Sequence, residues 1–186
     1  MRRMPAVLAG MVVTLAMIVW AAPVSAGNGA QVFSSGTGGW GSGSGRTDGT
    51  GRECLGFQPS DDLGLTFVSH VGAKLTVTSS GNAQVAFHAD ESYAFYANPG
   101  DDLPHPGDPG WSWSGSVVVK DYSTTVSSLV PDQNGTQFIP ISVPFVMTSP
   151  DGSTSQVMYL DYAVVIVFSG NQVIGVGTYE VGPRCP

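Results

Sequence analysis

Two acidic residues near the C-terminal end of the chain, Asp161 and Glu180, have the types and the spacing to work as a pair. They flank "YAVVIVFSGNQVIGVGTY", where a two-residue turn at Gly170-Asn171 predicts a β-hairpin. That turn sets Val167 opposite Ile174, Val165 opposite Val176, Ala163 opposite Thr178, and so Asp161 opposite Glu180. Carboxyl groups held that close repel. One keeps its proton above the usual range, and the pair can then serve as general acid and base or bind a cation. The chemistry expected of it is hydrolysis of the kind a small secreted glycosidase performs. Arg184, nearby in sequence, is the residue that could neutralise the pair.

A second candidate lies in "YANPGDDLPHPGDPGWSWSGS", from Tyr96 to Ser116. Its prolines fix φ and push the preceding residues toward extended geometry, so the segment is stiffer than its length implies. Asp101, Asp102 and Asp108 offer oxygens to Ca²⁺, although their spacing matches no calcium loop. Trp111 and Trp113 alternate onto one face of the strand that follows, and Tyr93 and Phe95 share a face of the strand before it. If the two strands are neighbours, these aromatics form a platform for sugar rings. The competing assignment is core, because large aromatic side chains supply much of the burial in a domain.

Other chemistry is poorly supported. His70, His88 and His105 do not cluster, so a metal or triad site would have to be assembled by the fold. The run "SSGTGGWGSGSGRTDGTG" lacks the helix and the Lys of a phosphate-cradling loop. Neither Ser42 nor Ser44 has the flanking glycines of a nucleophile elbow.

The elements that must position these residues read as strands. Apolar residues are mostly β-branched or aromatic, runs are short, and turn residues separate them. Strands are expected at 64–70, 73–80, 84–89, 92–97, 113–122, 136–147, 155–169 and 172–181. A loop at Gly81–Ala83 puts Leu75, Val77, Val85, Phe87 and Ala89 on one face and Thr76, Thr78, Gln84 and His88 on the other. Pro140 and Pro144 demote "QFIPISVPFVM" to an edge or bulged strand. Residues 162–168 are apolar on both faces, as in a strand covered on both sides. The expected fold is all-β: a β-sandwich, jelly-roll or immunoglobulin-like, with a β-barrel as runner-up.

The chain of 186 residues divides into three expected parts. Residues 1–26 read as a secretory signal peptide: Arg2 and Arg3, an apolar run to Ala22, then small residues Val24 and Ala26 before the cleavage point. Residues 27–53 read as a flexible Gly/Ser-rich arm with a short strand at "AQVFSS", and 54–186 as one β domain. Cleavage leaves Arg46, Arg52, Lys74, Lys120 and Arg184 against 14 acidic residues, a charge of about −9. That excess argues against nucleic acid and anionic membrane surfaces as partners, and no second apolar run is long enough to span a membrane. Export places Cys54 and Cys185 in an oxidising space, where they are expected to pair. The expected role is a secreted or envelope-associated module that binds a ligand such as a polysaccharide or other envelope component, without catalysis and without a cofactor beyond Ca²⁺. A hydrolase using Asp161 and Glu180 is the alternative, and a structural or adhesive envelope protein the third.

Overall fold

The computed structural model describes residues 24–26, 30–46, 53–57, 62–97, 105, 107 and 109–186. Asp101, Asp102 and Asp108, and most of the expected leader, lie outside the described residues.

The strands are β1 (Val24–Ala26), β2 (Ala30–Arg46), β3 (Asp62–Val77), β4 (Ala83–Ala97), β5 (Trp113–Val126), β6 (Thr136–Thr148), β7 (Ser155–Ser169) and β8 (Gln172–Arg184), with one 3₁₀ turn at Glu53–Leu55. Each pairs antiparallel with the next, giving a single eight-stranded up-and-down sheet. The sheet rolls until β8 lies against β2 and β3. Among the described residues no ladder joins β8 to β2, so the roll is a nearly closed barrel. The second-ranked architecture, not the sandwich, is the one observed.

Strand β4 shows how the pattern drives the roll. Ala83, Val85, Phe87, Ala89, Glu91, Tyr93 and Phe95 are buried, while Gln84, Ala86, His88, Asp90 and Ser92 are exposed. Period-two alternation commits one face to the interior, and each fully buried large apolar side chain contributes about 1.5–3 kcal/mol. The inner face is completed by Phe33, Leu75, Met147, Met158, Leu160, Val164 and Ile166.

The Gly/Ser-rich segment is not an arm with a short strand. Strand β2 continues through it to Arg46, paired residue for residue with β3. Rings from β3 lie across its glycines, so that a Cβ on Gly38 would stand 2.6 Å from His70 and one on Gly41 2.5 Å from Phe67. The glycines therefore make room for neighbouring rings, which restores the contact a bare strand lacks. The same reasoning explains why β3 and β4 are each one long strand where two were expected. Gly72 lies under the His88 ring, and "DES" runs through β4 with Glu91 turned inward.

The sheet is weakest between β5 and β6. Strand β6 pairs with β7 along its whole length, but with β5 only at Ser114–Thr148 and Gly115–Met147. Pro140 and Pro144 share a parity, so their missing N–H groups fall on the same side of the strand. The complete ladder with β7 requires that side to face away from β7, so β6 behaves there as the edge strand its prolines predict. The sheet thus consists of a five-stranded part, β1–β5, and a three-stranded part, β6–β8. The parts are stitched by those two residue pairs, by the Cys54–Cys185 disulfide and by packing through the interior.

Cys54 in the 3₁₀ turn and Cys185 beyond β8 form a disulfide, with Cα atoms 5.9 Å apart.

Candidate functional site

The hairpin of β7 and β8 turns at Gly170-Asn171 as expected, with Ser169 opposite Gln172. A bulge then shifts the register by one between Val167 and Phe168, and a second lies between Asp161 and Tyr162. Tyr162 therefore pairs with Glu180, and Asp161 with Gly182. Because side chains alternate, the first shift moves Glu180 to the opposite face from Asp161. The expected Asp161–Glu180 pair does not form. Gly182, at φ +100°, takes the left-handed conformation that suits the second bulge.

Asp161 faces outward, where Arg184 Nε and Ser142 Oγ donate to it. The Arg184 hydrogen bond holds its carboxyl below the usual range. The Arg184 guanidinium also lies 5.1 Å from the Tyr159 ring centre.

Glu180 faces inward and meets a different carboxyl group, Glu91, which is 1% exposed. The hydroxyls of Ser69, Tyr93 and Tyr162 all donate toward Glu91, Tyr93 at 3.1 Å. Tyr93 Oη also lies 2.6 Å from Glu180 Oε1. The rings of Phe67 and Phe145 flank Tyr93, and Phe87 packs on Tyr162. Burial, followed by the negative charge of Glu91, pushes the Glu180 carboxyl up to about 7, although the Tyr93 hydrogen bond opposes the shift. Burial and both glutamates raise the Tyr93 and Tyr162 phenols far above their ordinary value, so both remain donors. Sequence reasoning identified Glu180 but missed Glu91, whose only signal was an acidic residue on the apolar parity of an otherwise regular strand.

The aromatic platform is redistributed. Tyr93 and Phe95 are 3% and 0% exposed, and Trp113, paired with Phe95, packs half-buried against the core. These three belong to the interior because they fall on the inward parity of β4 and β5. Trp111 precedes β5 and lines a recess of about 390 Å³ on the outer side of the sheet. Tyr96, Thr66, Ser92, Ser114 and Ser116 line it too, and Gly107 of the proline-rich segment borders it. Tyr96 and Thr66 have outward parity yet are 5% and 1% exposed, so this part of the outer face is covered. A second recess of about 470 Å³ is formed by Gly39, Trp40, Val68, His70 and His105. Trp40 is 59% exposed and makes an edge contact with the His105 ring at 5.3 Å. Val68 borders both recesses, so they adjoin on the outer faces of β2–β5, with His105 and Gly107 at their rims. Sequence reasoning missed Trp40 because its glycine-rich surroundings read as an arm.

Among the described residues, no three His, Cys, Asp or Glu side chains converge as a metal site. No protein-family model, curated protein or solved structure matches the chain.

Proposed function

We propose that the protein is a secreted binding module that holds a neutral polysaccharide along the two adjoining recesses bordered by Trp40 and Trp111. The observation that carries this reading is the lining: Trp40 in one recess and Trp111 in the other, with Ser92, Ser114 and Ser116 bordering the Trp111 recess. Aromatic faces stack on the C–H faces of pyranose rings, and a few placed hydroxyls fix orientation. The ligand is neutral because the chain is strongly acidic and would repel a polyanion. The disulfide is compatible with an oxidising extracellular location.

Binding without catalysis is favoured over hydrolysis by the alternation of β4. Ser92 borders the Trp111 recess from the outer face, whereas Glu91 and Tyr93 direct their polar groups to the other side of the sheet. Tyr93 and Phe67 also border the Trp111 recess, but the Tyr93 hydroxyl is directed away from it, to Glu91 and Glu180 on the inner face.

The test is retention on insoluble cellulose, chitin and xylan. The wild type should be retained on at least one, and Trp111→Ala and Trp40→Ala should each weaken retention about tenfold with little change in melting temperature. Retention on none, or variants that bind like the wild type, would end this reading.

A further inference from the structure

Two of the side-chain hydrogen bonds in the cluster around Glu91 join the two parts of the sheet. Ser69, Glu91 and Tyr93 belong to the β1–β5 part, and Tyr162 and Glu180 to the β6–β8 part. Tyr162 donates across to Glu91, and Tyr93 lies within hydrogen-bond distance of Glu180 in the other direction. On one flank only the Ser114–Thr148 and Gly115–Met147 pairs hold the parts together. On the other, β8 lies against β2 and β3 without a ladder, tied at its C-terminal end by the Cys54–Cys185 bridge. We propose that the Glu91–Tyr93–Tyr162–Glu180 cluster is a proton-controlled latch, closed while Glu180 is neutral and loosened when it ionises.

Proton counting gives the mechanism. Three hydroxyl hydrogens, from Ser69, Tyr93 and Tyr162, face four carboxyl oxygens. A fourth hydrogen on Glu180 completes the set, because Glu180 lies within hydrogen-bonding reach of Glu91. Without it, two carboxylates confront one another inside a wall of Phe67, Phe87 and Phe145, where repulsion is poorly screened. Parting β8 from β2 and β3 lets water reach Glu180 and relieves that repulsion. The latch transition falls near neutrality, where burial and Glu91 together set the Glu180 titration.

Other groups do not blunt this response. On β7 the facing titratable residue is Tyr162, and on β4 they are Glu91 and Tyr93. Strand β3 contributes Ser69, while its His70 lies on the outer face. Among the described side chains of β2, the inward positions are Gln31, Phe33, Ser35, Thr37, Gly39 and Gly41, none of them charged. Asp161 and Arg184 pair with each other on the outside.

The test is the access of a soluble paramagnetic agent to core methyl groups, read by NMR. Val71 of β3 and Val176 of β8 are buried on the inner face, and exposed Val118 of β5 is the internal reference. From pH 5 to pH 8.5, relaxation enhancement at Val71 and Val176 should rise at least threefold relative to Val118 in the wild type. In Glu180→Gln it should stay at the pH 5 level throughout. Tyr162→Phe, which removes one tie but no charge, should show raised access already at pH 5. Unchanged access in the wild type would overturn the latch without reference to any variant, and an equal pH response in Glu180→Gln would overturn the role of Glu180.

Discussion

Replacing Glu180 with Gln should remove a pH dependence of folding stability whose size follows from the interior geometry. The ordinary value for this carboxyl is 4.5, and burial beside Glu91 pushes it up to about 7 in the folded protein. A carboxyl with a raised folded value binds its proton more tightly when folded. Its contribution is therefore most favourable at low pH and is lost as pH rises through the folded value. At about 1.4 kcal/mol per unit, the full loss is on the order of 3 kcal/mol, most of which falls between pH 5 and pH 8.5. Solvent reaching the partly exposed Glu180 trims this toward ~2 kcal/mol. The interval avoids the acid range where Asp132, Asp151 and Asp161, all held low, contribute in the opposite sense. Gln keeps an acceptor for Tyr93 and a donor for Glu91, so the fold should survive. Urea denaturation of both proteins at several pH values gives the difference curve directly. The wild type should lose about 2 kcal/mol relative to the variant across the interval. A difference under about 0.5 kcal/mol, within the scatter of neutral surface changes, would refute the assignment of a tight, shielded carboxyl pair.

Gly115→Val should cost at least about 2 kcal/mol in denaturant melts, because overpacking forces backbone shifts and a Cβ there would stand 2.6 Å from both Met147 Sδ and the Val146 carbonyl. A neutral outcome would mean that the β5–β6 stitch is dispensable. Reduction, or the Cys54→Ala/Cys185→Ala pair, opens a bridge spanning 131 residues and should lower stability by up to roughly 5 kcal/mol on the chain-entropy account, read from melts with and without reductant. Asp161→Asn breaks an outward ion pair with Arg184, itself 48% exposed, and weakens the Ser142 hydrogen bond, and should cost less than about 1 kcal/mol at pH 7. A gain in stability there would restore the expected repulsion with Glu180.

Much of the fold follows from parity. The faces expected around Gly81–Ala83 match those observed, although Val77 pairs with Ala83 and the turn is correspondingly longer. Parity survives that difference because it shifts the register by an even number of residues. At the last hairpin the turn was legible and the site was not. One bulged residue changes the register by an odd number and sends Glu180 inward, and a single added residue leaves little trace in composition. The prolines of β6 were informative because a missing donor has one geometric consequence. The glycines of β2 were misleading, since what stabilises them is the ring on the neighbouring strand, and a linear reading cannot pair Gly38 with His70 or Gly41 with Phe67. Closure of the roll depends on accumulated twist and on β8 reaching β2. Local pattern does not encode either, so sandwich and barrel could not be separated in advance.

The most direct test of the binding account is an amide NMR titration of the wild type with soluble neutral oligosaccharides cut from whichever polysaccharide retains it. The account predicts progressive shifts at Val68, Ser92, Ser114 and Ser116 and at the Trp40 and Trp111 indole N–H groups, with the β6–β8 outer face around exposed Phe138 and Tyr179 unmoved. Shifts confined to that β6–β8 face, or no shifts at saturating ligand, would contradict it.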